Sequence, residues 1–194
     1  MIAGVRQPHD PQRFEALFED VWSEVLNLEA HLTVHHALFQ DRTTGVRAAA
    51  PITFAVFGAA LTSEILLAVH RLLEPGAQRG RRTASFETLL SHLPPEAAPM
   101  RRELQKTLAA LRADCRALAV VRHRELAHRD LAVALAEESR PDPVRAGTLL
   151  GAMNGFARIL TAISERCDLN LPYEPGKVGH DVDRLIARLT APPQ

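Results

Sequence analysis

The stretch PQRFEALFEDVWSEVLNLEAHLTVHHALFQ, residues 11–40, decides the fold. Its apolar residues fall at Phe14, Leu17, Phe18, Val21, Trp22, Val25, Leu28, Leu32 and Phe39. Steps of three and four dominate, which lays one apolar stripe along a long helix. Pro11 suits the first helical turn, where its missing N–H costs nothing, and Asp10 before it is a natural N-cap. A loop containing Asp41, Thr43, Thr44 and Gly45 is expected to end this helix.

The same period recurs downstream. Residues from about Pro51 to Leu73 form a second helix, apolar on most sides (Ile52, Phe54, Val56, Phe57, Leu61, Ile65) and so expected to be the central, most buried one. Glu74-Pro75-Gly76 stops it, and a loop with Arg79, Arg81 and Arg82 follows. Ser85 to His92 reads as a short helix capped by Thr83 or Ser85 and terminated at Pro94-Pro95. A third long segment, from about Pro99 to His128, carries Leu104, Leu108, Leu111, Cys115, Leu118, Val121 and Leu126 on its stripe. An irregular stretch from Arg129 to Pro143 leads into a helix from Val144 to about Cys167. After the breaker Leu171 to Gly176, an amphipathic helix from Val178 to Leu189 follows, with Val182, Leu185, Ile186 and Leu189 apolar. No run alternates with period two for long enough to make a strand. The expectation is an all-α fold: one domain over 1–194 with its core at about 11–167 and a short C-terminal helix at about 178–190. The architecture is an up-and-down four-helix bundle with two short extra helices.

Composition narrows the function. The 194 residues carry 23 Lys+Arg against 23 Asp+Glu, with 46% hydrophobic residues and two cysteines. That length buries a real core, and the apolar fraction excludes wholesale disorder. Two cysteines exclude a disulfide scaffold or a four-cysteine zinc module, and they read as reduced thiols in a cytosol. Zero net charge argues against a surface that coats nucleic acid throughout, so a polyanion must meet a local patch. The start, Met1 to Pro8, lacks the basic-then-apolar pattern of an export signal. The most apolar stretch, Ala48 to Leu61, is shorter than the roughly 20 residues needed to span a bilayer and reads as a buried helix. The expected location is cytoplasmic, with no membrane partner.

One segment concentrates charge. From Arg101 to Arg129 there are eight Lys+Arg and three Asp+Glu, whereas Pro11 to Glu29 holds five acids and one arginine. At its end, residues 122–129 pack three arginines and two histidines into eight positions. A helix C-terminus attracts cations, which accounts for Arg124 or Arg129 but not for two flanking histidines. Histidine with arginine suits phosphodiester cleavage without a metal. Imidazole moves a proton near neutral pH, and a guanidinium fork holds the phosphate and its developing charge. RNA brings its own nucleophile, the 2′-hydroxyl. On a regular helix Arg124 and His128 share a face, whereas Arg122 and His128 are about 120° out of line. Arg122 and His128 converge only if the helix bulges or ends between them, or if a second subunit completes the site.

The string Arg122-His123 followed after four residues by His128 resembles the signature of HEPN ribonucleases, the higher eukaryote and prokaryote nucleotide-binding domains. The wider ending Ala127-His128-Arg129-Asp130, the Leu72-Leu73-Glu74-Pro75 turn and the Ser85 helix are similar to the abortive-infection branch. The resemblance spans roughly Leu61 to Cys167. It implies a bundle that forms a homodimer, with two copies of the motif lining a cleft at the interface and cutting RNA without metal or cofactor. Such proteins serve as toxins or phage-defence effectors, some with an antitoxin partner. By position Arg122 would hold the scissile phosphate, His128 would be general acid or base, and His123 would orient them. Arg116, Arg124 and Arg129 would contact RNA phosphates. His123 stands where Asn or Asp is usual. Asp130 stands where toxins silenced by a nucleotidyltransferase carry Tyr, and the only tyrosine, Tyr173, is remote. The alternative is a non-catalytic HEPN-like module that binds RNA, a nucleotide or a protein.

A second constellation, Glu24, Glu29, His31, His35, His36 and His70, raises a metal-dependent bundle enzyme. The Glu-x-x-His pairs of a di-iron site are missing, since Asn27 and Leu32 occupy the places three after Glu24 and Glu29. These residues are read as a polar face near a helix end, with no metal expected. His180-Asp181 and Asp183 read as a solvated helix start. No phosphate-cradling glycine loop, serine elbow or aromatic stacking platform is present.

Overall fold

The computed structural model describes residues 10–78, 81–121, 146–169 and 177–190. Helix α1 spans Pro11–Leu38, with the Asp10 carboxylate accepting from the Arg13 N–H at 3.2 Å. A single turn of 3-10 helix, Asp41–Thr43, and a short helix α2, Thr44–Ala49, occupy the region expected as loop. Thr43 explains this order: buried itself, its hydroxyl donates to the carbonyls of Leu38 and Gln40 at 2.8 and 2.7 Å. Helix α3, Pro51–Leu73, ends at Glu74 as the Glu-Pro-Gly signal predicts. A two-residue antiparallel ladder pairs Ala77–Gln78 (β1) with Arg81–Arg82 (β2), too short for a sequence period to reveal. Helix α4, Phe86–Ser91, is capped by Ser85, whose hydroxyl accepts from the Thr88 N–H at 3.4 Å.

The third long segment is two helices. Helix α5, Ala98–Asp114, stops at Cys115, and α6, Arg116–Val121, restarts after it. At the break Leu118 N–H donates to the Cys115 carbonyl at 3.0 Å, a tighter i to i+3 link than an α-helix makes. Helix α7 spans Ala146–Cys167 and is closed by Asp168 at φ 53, a left-handed residue of the kind that ends helices. Helix α8 spans Lys177–Thr190.

The described residues are thus all-α apart from the small ladder. Helices α1 and α3 pack together, as do α5 and α7, while α4 reaches α1, α3 and α5. Four side chains of α7, Phe156, Ile159, Leu160 and Ile163, are fully buried, and Phe86 of α4 stacks on Phe156 at 5.1 Å between centroids. Helix α8 makes a separate small cluster, setting Val182 and Ile186 against Ala37 of α1. Leu185 and Leu189, expected on the same buried stripe, are 51% and 48% exposed.

The expectation that α3 is the most buried helix is corrected. Ile65, Leu66, Ala68, Val69 and Leu72 do enter the core, but Ile52, Val56 and Phe57 are 79%, 60% and 49% exposed. Helix α3 has the length and apolar composition of a bilayer-spanning helix, the only one to do so among the described residues, yet its C-terminal half is packed in the protein core. Its neighbours explain the difference: beside α1, the C-terminal half also has α4, α5 and α6 against it, while near the other end the Phe39 ring stands edge-on to Phe54 at 6.4 Å. Apolar composition all round a helix specifies that it is a helix, not how far its partners extend along it.

Candidate functional site

Five basic residues of the charged segment are described, and the fold uses three of them. Arg101 donates to the carbonyls of Leu93 and Pro94, tying the end of α4 to α5. Lys106 pairs with Glu103 at 2.9 Å. Arg112 donates from Nε to the Leu73 carbonyl at 2.8 Å and from Nη2 to the Glu74 carbonyl at 3.0 Å, and it pairs with Glu87 at 2.6 Å. It thereby satisfies the orphan carbonyls at the end of α3. Arg102 and Arg116 have no ion pair among the described residues, and both are exposed. The concentration of charge seen in the sequence is therefore partly structural.

Arg122, His123, Arg124, His128 and Arg129 lie outside the described residues, so their mutual geometry is not part of this structure. Arg122 follows directly on Val121, the last residue of α6, which is buried. The residue before the motif is therefore held in the core. Of the motif's expected RNA contacts, Arg116 alone is placed, on the first turn of α6.

A cavity of about 190 Å³ lies between the C-terminal half of α3 and the α5–α6 break. Leu66, Val69, Leu118 and Ala119 form its apolar wall, and His70 and Arg116 are among its polar lining. His70 Nε2 stands 3.1 Å from Glu74 Oε1. The sequence grouped His70 with the histidines of α1 and not with this cavity; its place about one turn before the Leu72-Leu73-Glu74-Pro75 turn was the available signal. Cys115 also lines the cavity, and burial, with Asp114 beside it, pushes its thiol up to about 11. Burial likewise raises Cys167. Neither is poised as a nucleophile.

The histidine group does not assemble. Glu24 is bound by Arg71, Nε to Oε1 at 2.7 Å, and His36 hydrogen-bonds Gln40 at 2.6 Å. His35 stacks on Phe39 at 4.9 Å, and burial, then the neighbouring His36, hold its pKa below the usual 6.5. Among the described residues no three His, Cys, Asp or Glu side chains gather as a metal set. Asp181 pairs with Arg184, and Asp183 with Arg42 at 2.7 Å. Sequence reasoning also missed a groove of about 970 Å³ bounded by α1, α7 and α8, with Trp22, Leu150 and Val182 on its walls.

A family model of HEPN domains, described as AbiU2, matches residues 11–170. No curated protein and no solved structure matches.

Proposed function

Because the chain belongs to the AbiU2 family of HEPN domains, an abortive-infection branch of that superfamily, we propose that it is a metal-independent endoribonuclease acting as a toxin or phage-defence effector. The observation that carries this reading is Arg122-His123 with His128, inside the matched range and immediately after the buried anchor Val121. Arg122 holds the scissile phosphate, and its fork stabilises the charge that grows on the equatorial oxygens. His128 removes the proton of the 2′-hydroxyl as its oxygen attacks phosphorus, or returns a proton to O5′ as the P–O5′ bond breaks. The products are a 2′,3′-cyclic phosphate and a 5′-hydroxyl end. His123 orients the pair, and Arg116, Arg124 and Arg129 hold flanking phosphates.

With His123 assigned to orientation, the single His128 imidazole cannot be base and acid in the same step, so the reading calls for two protomers that each lend a motif to a shared cleft. The protein is then a cytoplasmic homodimer, open to an antitoxin that covers the cleft. The test is cleavage of single-stranded RNA by purified protein in EDTA. Wild type should cut and leave cyclic-phosphate ends, and Arg122→Ala and His128→Ala should each lose cutting while their far-ultraviolet spectra stay unchanged. Cutting by either variant rejects the assignment. RNA binding without cutting by wild type returns the protein to a non-catalytic HEPN module.

A further inference from the structure

We propose that the groove bounded by α1, α7 and α8 docks an amphipathic helix of a partner protein, one that carries lysine or arginine beside its apolar stripe. This goes beyond the ribonuclease reading and does not rest on it, since no residue lining the groove belongs to the Arg/His motif. Shape is the first argument. The lining runs from Trp22 to Gln40 on α1, about 27 Å at 1.5 Å per residue, and from Leu150 to Thr161 on α7. A space of about 970 Å³ drawn out over that length suits a helix laid along it, with its apolar side chains entering the groove at successive turns. The walls are accessible as well. Leu150 is 64% exposed, and Trp22, Leu26, Leu32 and Met153 each keep part of their surface open. Open apolar surface gathered in one groove marks a place where another molecule binds.

Charge selects the partner. Trp22, Leu26, Glu29, Thr33, His36 and Gln40 follow one another at alternating steps of four and three, so they share one face of α1. The same steps carried toward the N-terminus reach Glu19 and Glu15. Glu15, Glu19 and Glu29 have no ion pair among the described residues, and the first two are exposed. Arg42, the arginine in the lining, is matched by Asp183 at 2.7 Å. Arg158 of α7 borders a different groove, toward α5, together with Glu165. The uncommitted charge along this face of α1 is therefore negative, which favours cationic side chains flanking the incoming stripe and opposes acidic ones.

The test uses the full-length protein and two synthetic helical peptides about four turns long. Both carry leucine at helical spacing and no tryptophan; the other positions are lysine in one and glutamate in the other. Trp22 is the chain's one tryptophan and lies in the groove, so its emission reports occupancy. The lysine peptide should shift that emission saturably, and the glutamate peptide should bind at least roughly tenfold more weakly. Leu150→Asp puts a charge on the apolar wall and should weaken the lysine peptide roughly tenfold. Leu189→Asp alters a leucine that is 48% exposed on α8 and outside the lining, and should change that affinity less than about twofold. Glu29→Lys should narrow the preference for lysine by roughly threefold or more. All three positions are at least partly exposed, so the variants should keep the parent far-ultraviolet spectrum. Absence of a saturable shift with the lysine peptide, equal affinity for both peptides, or equal losses from Leu150→Asp and Leu189→Asp would overturn the proposal. So would a wild-type dimer, seen by sedimentation, that Leu150→Asp but not Leu189→Asp separates into monomers, because the groove would then belong to a second copy of this chain.

Discussion

The guanidinium of Arg112 lies 2.6 Å from the carboxylate of Glu87, and from that position it also donates to the last carbonyls of α3. One side chain thus joins α3, α4 and α5 beside the point where the α5–α6 segment breaks. The two side chains are 34% and 46% exposed, so solvent screens the ion pair and the carbonyl contacts carry more of the effect. Arg112→Ala should destabilise the fold by about 1–3 kcal/mol, because two partly buried carbonyls lose their donor. Glu87→Gln should cost under about 1 kcal/mol. Urea unfolding followed by circular dichroism orders the two, and an equal loss in both would mean that the ion pair, not the helix cap, dominates.

Two glycines of α7 separate close packing from open surface. A Cβ at Gly155 would stand 2.4 Å from Leu111 Cδ2, in the seam between α5 and α7, whereas a Cβ at Gly151 would meet nothing within 4 Å. Gly155→Ala should destabilise by about 1–3 kcal/mol through forced repacking. Gly151→Ala should stabilise by up to about 1 kcal/mol, since alanine loses less backbone freedom in a helix. Adding Leu111→Val to Gly155→Ala should recover part of the loss. Melting temperatures of the three variants check the signs, and matching signs for the two glycines would refute the seam.

These contrasts show which parts of the molecule are written locally. Asp10 and Pro11 start α1, Ser85 caps α4, and Glu74 with Pro75 and Gly76 ends α3, because each signal acts on backbone within a few residues of itself. The break at Cys115 has no glycine or proline to announce it. It lies next to Arg112, whose bonds to Leu73 and Glu74 reach 39 and 38 positions along the chain. The exposed end of α3 escaped for a similar reason: a period identifies a helix but not the reach of its neighbours. At the site, the residue types of Arg122, His123 and His128 were legible as chemistry. The cavity with His70 was not, since α3 and α6 meet only in the folded chain.

The two cysteines should differ in reactivity. Cys115 is 4% exposed with its thiol pushed up to about 11, so almost none is thiolate at pH 8. Cys167 is only partly buried, and Arg166 beside it opposes the rise that burial causes. Iodoacetamide at pH 8 should label Cys167 first and leave Cys115 until the protein is unfolded in urea, when both should react at similar rates. Peptide mass mapping over time reads the order. Early labelling of Cys115 would mean that the α3–α6 cavity opens far enough to admit the reagent.

His35 gives stability a pH dependence whose sign is fixed. Stacked on Phe39 and partly buried, with His36 adjacent, it has a folded pKa below 6.5. As pH falls through 6.5 the unfolded chain takes up this proton before the folded chain does, so acid favours unfolding. The contribution is fully present above 6.5, is lost between 6.5 and the lowered folded value, and is constant below that. His35→Phe keeps an aromatic ring against Phe39 and removes the titration. The melting temperature of wild type should therefore fall more steeply than that of His35→Phe from pH 7.5 to 5.5. The difference between the two curves isolates this residue from the chain's other eight histidines. Parallel curves would show that His35 takes up its proton as readily in the folded protein as in the unfolded chain, and a wild-type curve that rises on acidification relative to the variant would reverse the assigned direction.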